Sequence, residues 1–381
     1  MVNKKKKILI LIDWFDPAFK AGGPIRSCVN FVSHLHKDFE LFVLTGCYDL
    51  GSTDILPGIE PGKWNDYSGK ARVMYAWPQQ LNSKNIIEII NELAPDFIYL
   101  NGLFSKQLTL LPLWLKKTGK IKAPVILAPR GMLKQSALAF KSFKKKIFLS
   151  VAQAAGIDRL VKFQATDSDE RKDILKYFPK GQVGIASNLP GPVADEAVWI
   201  DKKKGALSAI FVGRLHPIKS LAYLLAIIQR LNGEVNLTII GAKEDESYWD
   251  ECKELIETMP SNISIQYLGE QAHDRILSEI NRHHIFVLPT RGENFGHAIF
   301  ESLSVGRPVL ISDQTPWRNL SQQKAGWDLP LQQPSAFEES LNQAIHWNQD
   351  EYNEWSRSAL TLAKKFVEQS DIKENYIKLF G

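Results

Sequence analysis

Cysteine is scarce in this sequence of 381 residues. The three cysteines, Cys28, Cys47 and Cys252, are odd in number and widely separated. Disulfide frameworks and cysteine zinc sites need paired or clustered cysteines, so this scarcity excludes both. It also predicts a protein of a reducing compartment.

Long hydrophobic runs are lacking as well. The longest candidate for a membrane helix, LAYLLAII at 221–228, has eight residues, against ~18 for a spanning helix. Near the N-terminus, the run ILILI at 8–12 ends at Asp13 after five residues, which is shorter than the ~7–15 apolar residues of a secretory signal. We therefore expect a cytoplasmic protein, with any membrane contact peripheral and at the inner face of the cell membrane.

Motifs for several kinds of chemistry are missing. The glycine turns do not form the G-x-G-x-x-G of a dinucleotide site, which disfavours NAD. The eight histidines have no metal-ligand spacing, and no Ser-His-Asp arrangement is recognisable. The sequence therefore predicts neither a cofactor nor a bound metal, and it offers no evident nucleophile.

The net charge of +5 is modest, but the lysines are clustered in the first half of the chain. One run spans 4–7, and a second cluster consists of Lys141, Lys144, Lys145 and Lys146. Aromatic residues between the lysines of the second cluster would suit a helix lying on anionic lipid. The same aromatic residues would serve equally well as core contacts, so peripheral membrane contact stays one of two alternatives. Nucleic acid is not expected as a partner.

Short apolar runs alternate with helical patterns along the chain. In the first half the predicted strands are 8–12, 40–45, 71–76, 97–101, 125–128 and 161–165, and the alternation restarts at 209–215. Apolar strands separated by helices indicate parallel sheets covered on both faces. Two successive sets predict two doubly wound, Rossmann-like α/β domains, which suits a chain too long for one core.

The stretch 186–205, rich in glycine, proline, alanine and charge, marks the predicted domain boundary. We assign 1–190 to an N-terminal Rossmann-like domain and 191–360 to a C-terminal one. We expect 361–381 to be a helical segment after the second domain.

Ligands of doubly wound sheets bind where strands end and helices begin, and PTRGENFGHAIFE at 289–301 is such a junction. We expect its helix to begin near residue 294 or 295, with free N–H groups that can hold a phosphate. The residues at this turn are Asn294, Phe295 and Gly296. Glu293 precedes them, and Glu301, about two helical turns on, can accept hydrogen bonds from both hydroxyls of a ribose. Taken alone, the two acids could also be a capping residue and a surface residue.

A second junction, FVGRLHPIKSL, covers 211–221. Gly213 ends a predicted strand, and Arg214 and Lys219 follow it beside apolar residues. Two cations at a strand end suit a pyrophosphate, because the guanidinium binds as a fork and the ammonium as a point charge. A solvated pair of cations is the plainer alternative.

The N-terminal half offers weaker candidates at the ends of its predicted strands. They are Asp13, the Gly22–Gly23 turn, Asn101 and Arg130. An ordinary surface turn explains the glycines as well as ligand contact does. Asp167 and Asp169 could suggest a metal pair, but Thr166 or Asp167 is a natural N-cap for the helix that follows. We therefore reject the metal interpretation.

These motifs together resemble those of retaining glycosyltransferases of family 4, which have the GT-B fold. PTRGENFGHAIFE is similar to that family's E-x7-E signature, FVGRLHPIKSL to its G-R-L-x-x-x-K loop, and KAGGPIRS to its N-terminal glycine loop. LAPRGML, ATDSDE and DQTPWRNL resemble a subset found in bacterial polysaccharide assembly. The resemblance implies two Rossmann-like domains with a cleft between them, the first binding the acceptor and the second the nucleotide sugar.

The resemblance also implies roles in the second domain. Arg214 and Lys219 would hold the donor's diphosphate without a metal, and Glu301 would bind the ribose. Glu293 would contact the hydroxyls of the transferred sugar and is the candidate catalytic residue. The amides of 294–296 would contact sugar or phosphate. Retention in such families is ascribed to front-face attack, in which the donor phosphate helps to deprotonate the acceptor.

In the first domain, Gly23 would let the backbone approach the donor phosphate. Asp13, Asn101 and Arg130 are the candidates for the acceptor side or the cleft. Many relatives carry histidine near the position of Asn101, which leaves its contact open. The final helix would cross back to the first domain.

Our leading hypothesis is a retaining, metal-independent glycosyltransferase of bacterial surface polysaccharide synthesis (O-antigen, capsule or exopolysaccharide). It would use a nucleotide sugar, with a UDP-sugar favoured over GDP-mannose, and a glycan or polyprenyl-diphosphate-linked acceptor. A GT-B sugar-nucleotide epimerase and a non-catalytic sugar-nucleotide-binding protein are the alternatives.

Overall fold

A computed structural model describes residues 4–139, 142–368 and 371–381 of the chain. The chain divides into two compact units. The N-terminal unit comprises Met1–Leu189 and Asp371–Gly381, and the C-terminal unit comprises Pro190–Ser370.

The sheet of the N-terminal unit has the order β3-β4-β2-β1-β5-β6-β7-β8 among the described residues. Neighbouring strands are parallel except for the β3–β4 pair, which is antiparallel. The strands are β1 (Lys7–Leu11), β2 (Glu40–Gly46), β3 (Trp64–Tyr67), β4 (Ala71–Ala76), β5 (Phe97–Asn101), β6 (Val125–Ala128), β7 (Lys162–Ala165) and β8 (Gln182–Ile185). The central strands are buried on both faces because helices cover each side, which explains their unbroken apolar sequences.

The sheet of the C-terminal unit is parallel throughout its described strands, in the order β11-β10-β9-β12-β13-β14. The strands are β9 (Ala206–Val212), β10 (Glu234–Ile240), β11 (Ile263–Tyr267), β12 (Ile285–Leu288), β13 (Val309–Ser312) and β14 (Gly326–Leu329). Strand β9 lies between β10 and β12, so the loops that leave these three strands emerge side by side at one edge of the sheet.

Helices connect the strands in both units. They are α1 (Gly23–Leu35), α2 (Ser83–Leu93), α3 (Leu111–Lys117), α4 (Gln135–Ala139), α5 (Ser142–Ala154), α6 (Ser168–Tyr177), α7 (Leu221–Ile228), α8 (Glu246–Glu257), α9 (His273–Ile280), α10 (His297–Ser304), α11 (Pro334–His346), α12 (Gln349–Glu368) and α13 (Ile372–Leu379). None of the helices among the described residues is long and apolar enough to span a bilayer.

The last helix, α13, is part of the N-terminal unit. The Tyr376 ring packs edge-on against Phe31 of α1 at 5.3 Å, and the Phe380 ring lies 5.4 Å from Tyr99 of β5. Residues 361–368 still belong to α12 in the C-terminal unit, so the division lies after residue 370 rather than at 360. The other division lies between residues 189 and 190.

Candidate active site

The loop after β9 is shaped by a close approach of two glycines. Gly241, which follows β10, has a φ of +153°, and a Cβ there would lie 1.9 Å from the carbonyl oxygen of Gly213. A Cβ on Gly213 would itself lie 3.7 Å from Cγ of Lys219, so the aliphatic stem of Lys219 passes over the strand end. The glycines thus bring the Lys219 ammonium to the carboxyl edge of the sheet.

The loop after β12 lies against the loop after β9. The Arg291 N–H donates to the carbonyl oxygen of Ile218 at 2.7 Å, and the Thr290 hydroxyl donates to the same oxygen at 3.1 Å. The Glu293 N–H donates to the carbonyl oxygen of Gln314 at 3.0 Å. The two bonds to Ile218 hold the cationic and the acidic loop together, and the bond to Gln314 fastens the acidic loop to the segment after β13.

Lys219 and Glu293 form an ion pair where the two loops meet. The Lys219 side chain is 14% exposed and that of Glu293 is 17% exposed, so both charges are largely removed from water. A charge so placed is stabilised mainly by its partner, because the surrounding protein solvates it poorly. The structure therefore brings together one predicted phosphate ligand and the candidate catalytic acid.

Arg214 pairs with a different carboxylate. Its Nη1 lies 2.7 Å from Oε2 of Glu244, in the loop after β10, and both side chains are partly exposed. Glu244 was not among the residues predicted from the sequence. Its position shortly after the strand that neighbours β9 is the signal that could have identified it.

The helix after the acidic loop begins later than predicted. It starts at His297, because Gly296 has a left-handed backbone (φ +78°) that ends the preceding loop. Asn294 and Phe295 therefore lie in the loop and not in the first helical turn. The Phe295 ring is buried 5.7 Å from that of Trp317, whose Nε1–H donates to the Phe295 carbonyl oxygen at 2.7 Å. Of the three residues predicted to start the helix, Asn294 and Phe295 precede it and Gly296 is its N-cap.

Glu301, in the second turn of α10, contacts a histidine that was not predicted from the sequence. His273, the first residue of α9, has its Nε2 2.8 Å from Oε1 of Glu301. Both side chains are largely buried. The imidazole holds the carboxylate in one orientation, which is what recognition of a neighbouring pair of hydroxyls would need.

In the N-terminal unit, Asp13 lies just beyond the carboxyl end of β1. Its Oδ1 accepts a hydrogen bond of 2.5 Å from the Ser105 hydroxyl. Burial raises the pKa of the Asp13 carboxyl, and the Ser105 hydrogen bond opposes the shift. Gly23 is the first residue of α1, and the positive φ of this turn (+66°) falls on Gly22.

Asn101 and Arg130 contact each other. Nη2 of Arg130 donates to Oδ1 of Asn101 at 2.7 Å and to the Tyr99 hydroxyl at 2.8 Å. Nη1 donates to Oδ1 of Asn188, just before the boundary between the units. All three acceptors are neutral. The Arg130 guanidinium, which follows β6, thus fastens the ends of β5 and β6 to the segment just before residue 190.

The acidic stretch at 166–170 caps a helix, as predicted. Oδ1 of Asp167 accepts from the N–H groups of Asp169 and Glu170 at the start of α6. The Glu170 carboxylate accepts from the Thr166 N–H and from the Gly131 N–H. Across the described ranges, no group of three His, Cys, Asp or Glu side chains could hold a metal ion.

The second lysine cluster is described only in part. Lys141 and the side chains of Lys144 and Lys146 lie outside the described residues. Lys145 turns inward: its Nζ donates to the Ala137 carbonyl oxygen at 2.7 Å and lies 5.6 Å from the centre of the Phe104 ring. The ammonium of Lys145 is therefore engaged within the unit.

Comparison with known proteins agrees with this architecture. Residues 196–361 match the model of the family Glycosyl transferases group 1. A comparison with curated proteins finds no match.

Among solved structures, sucrose-phosphate synthase from Thermosynechococcus elongatus superposes with a TM-score of 0.69 at 15% identity, covering 99% of each chain. HepE from Anabaena in complex with UDP-glucose gives 0.68 at 14% identity, over 98% of this chain and 99% of that one. WaaG, a glycosyltransferase involved in lipopolysaccharide biosynthesis, gives 0.64 at 12% identity, over 98% of each chain. The predicted GT-B fold and the predicted resemblance to glycosyltransferases are confirmed, while the assignment to family 4 stays a prediction.

Proposed function

We propose that this chain is a retaining, metal-independent glycosyltransferase that moves a sugar from a nucleotide-diphosphate donor to a glycan or lipid-linked acceptor. The observation that carries the proposal is the meeting of Lys219 and Glu293, 74 positions apart in sequence, inside the segment that matches the glycosyl transferases. A cation and a carboxylate at adjacent strand ends suit a donor with a diphosphate on one side and sugar hydroxyls on the other.

Lys219 and Arg214 would bind the diphosphate. An ammonium has three N–H donors, so Lys219 can contact Glu293 and a phosphate oxygen together. Arg214 pairs with Glu244 in a partly exposed setting, where an ion pair is weak and a phosphate can compete for the guanidinium. The two cations would stabilise the charge that develops on the leaving diphosphate.

Glu301 would bind the ribose, with its carboxylate held by His273. Glu293 would accept hydrogen bonds from hydroxyls of the transferred sugar and fix its orientation. The amides of Asn294, Phe295 and Gly296 would lie along the same part of the donor. Each of these roles is an interaction with the donor and not covalent chemistry.

The reaction would proceed on one face of the sugar. The acceptor oxygen bonds to the anomeric carbon, the bond from that carbon to the phosphate oxygen breaks, and the acceptor proton passes to the departing phosphate oxygen. Such a step needs no protein nucleophile, in agreement with the sequence. We assign the acceptor side to Asp13, Asn101 and Arg130 of the N-terminal unit.

The relatives' names support a donor and a pathway. HepE was solved with UDP-glucose, and WaaG acts in lipopolysaccharide biosynthesis. We infer a UDP-sugar donor, with GDP-mannose as the alternative, and a role in bacterial surface polysaccharide synthesis. The acceptor would then be a glycan or a polyprenyl-diphosphate-linked intermediate.

We also propose peripheral contact with an anionic membrane through helices α3 and α5. Large apolar side chains are exposed there: Trp114 by 57%, Ile147 by 49% and Val151 by 61%. The Lys117 ammonium, one turn from Trp114, donates to the Ala155 carbonyl oxygen at 2.9 Å and so joins the two helices. In liposome flotation, Val151→Glu should reduce binding while Ile55→Glu does not, and equal binding by all three proteins would contradict the proposal.

The central proposal is tested by donor binding and product analysis. A thermal-shift screen over UDP-, GDP- and dTDP-sugars identifies the donor, since a ligand of the folded state raises the melting temperature. Lys219→Met should abolish the shift, whereas Lys253→Met, which removes a lysine paired with Asp250 on the surface of α8, should keep it. NMR of the product should then show the same anomeric configuration at the transferred sugar as in the donor, as retention requires. Inversion, or an unchanged shift in Lys219→Met, would refute the proposal.

A further inference from the structure

A cavity in the N-terminal unit takes no part in the site described above. It has a volume of about 460 Å³ and lies where the segments leaving β1 and β2 meet the antiparallel β3–β4 pair. We call it the hairpin pocket, and the side chains that define it are Asp16, Glu60, Trp64, Asp66, Tyr67 and Tyr75. Its volume falls within the ~300–1,000 Å³ typical of small-ligand sites.

The pocket contains an aspartate that two tyrosines hold, one through its carboxylate and the other through its backbone carbonyl oxygen. The Tyr67 hydroxyl donates to Oδ2 of Asp16 at 3.2 Å, and the Tyr75 hydroxyl donates to the Asp16 carbonyl oxygen. Burial, and then the charge of Asp16, raises the pKa of both tyrosines. Their hydroxyls therefore stay protonated and continue to donate. Asp16 is thus held in place as an acceptor of hydrogen bonds.

Aromatic rings supply the apolar part of the lining. The Trp64 ring is half-buried and packs edge-on against Phe42 at 5.5 Å, and the Tyr67 ring packs edge-on against Phe15 at 5.1 Å. Both rings are therefore held by the core of the unit. An aromatic ring beside fixed acceptors of hydrogen bonds suits a ligand that is apolar on one face and rich in hydroxyls at its edges.

The charges exclude some ligands. Asp16, Glu60 and Asp66 contribute three negative charges to the lining, and Lys63 contributes one positive charge. Lys63 pairs with Glu60 at 2.9 Å on an exposed surface, so the lining itself keeps two carboxylates in excess, although the Arg72 guanidinium lies nearby, 5.8 Å from the centre of the Trp64 ring. A phosphate or a uronate would be repelled, whereas a neutral sugar or an amino sugar would not.

We propose that the hairpin pocket binds a neutral or amino sugar residue of a glycan, through an aromatic ring and the Asp16 carboxylate. This assignment deepens the proposed function, because the acceptor's glycan portion would be the occupant. It does not depend on the donor site, since all the pocket's side chains belong to the N-terminal unit. The pocket therefore can be tested without any transfer reaction.

The test is saturation-transfer NMR on the full chain with defined probes: cellobiose, maltose, diacetylchitobiose, glucosamine and glucuronate. At least one neutral or amino sugar should bind. Its affinity should fall about tenfold or more in Trp64→Ala but stay unchanged in Trp199→Ala, which removes an exposed tryptophan of the C-terminal unit. Glucuronate should bind more weakly than the neutral sugars and should gain affinity in Asp66→Asn.

Asp16→Asn keeps the shape of the side chain and serves if Trp64→Ala does not fold; it should weaken binding of the sugar that the wild type selects. The proposal is overturned if none of the probes binds, if Trp64→Ala and Asp16→Asn bind like the wild type, or if glucuronate binds as well as the neutral sugars. Thermal shifts with nucleotide sugars, measured in parallel, report on the donor site alone. Donor binding without sugar binding would reject the pocket, and sugar binding without donor binding would reject the proposed glycosyl transfer.

Discussion

Replacing Glu293 by glutamine should have opposite effects on stability and on nucleotide binding. The substitution keeps the size of the side chain but leaves the Lys219 ammonium without its anionic partner. Removing one member of a buried ion pair costs about 3–5 kcal/mol. Because the two side chains keep 14% and 17% exposure, we expect the lower end, about 3 kcal/mol. The melting temperature should then fall by roughly 6–12 °C for a unit of this size.

The same unpaired ammonium should attract a diphosphate. In the proposed complex Lys219 is shared between Glu293 and the phosphates, whereas in Glu293→Gln the phosphates alone would neutralise it. A charge-assisted hydrogen bond contributes about 1.5–3 kcal/mol, so we expect UDP, or GDP if that is the base selected, to bind about tenfold more tightly. Sugar transfer should nevertheless fall, because the amide no longer accepts hydrogen bonds from the sugar hydroxyls at both of its atoms.

Calorimetric titration with the nucleoside diphosphate and scanning fluorimetry with and without it measure both effects. The matched control is Glu338→Gln, which removes the partner of Arg230 from a more exposed pair and should change neither quantity much. In the double variant Lys219→Met, Glu293→Gln, the loss of stability should be smaller than the sum of the single losses. Weaker nucleotide binding by Glu293→Gln, or full turnover, would refute the reasoning.

Three further substitutions test other parts of the structure. His273→Ala frees the Glu301 carboxylate, so calorimetry should give about fivefold weaker nucleoside diphosphate affinity but unchanged affinity for the dideoxy analogue; equal losses would contradict the ribose role. Burial holds the pKa of His284 at about 4, below its ordinary 6.5. As the pH falls below 6.5, the His284 imidazole therefore takes up a proton in the unfolded chain before it does so in the folded one. The free energy of unfolding should then fall by about 3 kcal/mol between pH 6.5 and pH 4. In urea unfolding, the slope of the free energy of unfolding against pH should decrease in His284→Gln by the equivalent of about one proton. An unchanged slope would contradict this role of His284. Gly241→Ala should lower the free energy of unfolding by more than ~3 kcal/mol, because its Cβ would lie 1.9 Å from the Gly213 carbonyl oxygen. Gly269→Ala, where φ is also positive but no atom lies within 4 Å, should lower it by about 1 kcal/mol. Similar urea midpoints for the two variants would contradict the clash.

The central strands could be predicted from the sequence because strands buried on both faces consist of nearly continuous apolar residues. The predicted strands 71–76, 97–101 and 125–128 coincide with β4, β5 and β6. The strands β3, β8 and β14 were missed. Each lies at an edge of its sheet and pairs on one side, so its sequence need not be a continuous apolar run. The hairpin pocket was missed for the same reason, because β3 forms one of its walls.

The candidate site residues were predicted where local chemistry is unusual, and their contacts with other side chains were missed because pairing is a property of topology. Lys219 and Glu293 each follow a buried strand, a feature visible in sequence, but their contact depends on β9 and β12 being neighbours. Glu244 follows β10, on the other side of β9. If β9 is assumed to lie between β10 and β12, the loops that follow these strands are neighbours at the same edge of the sheet. A charged residue in the loop after β9 is then expected to find its partner in the loop after β10 or β12. Applied before the structure is known, this rule directs Arg214 to the acidic stretch 244–246, and the structure shows that Glu244 is the partner. It does not select His273, which follows β11 at the far edge and reaches Glu301 only because α9 packs beside α10. Side-chain pairs carried by helices therefore require the helix packing, which strand order alone does not determine.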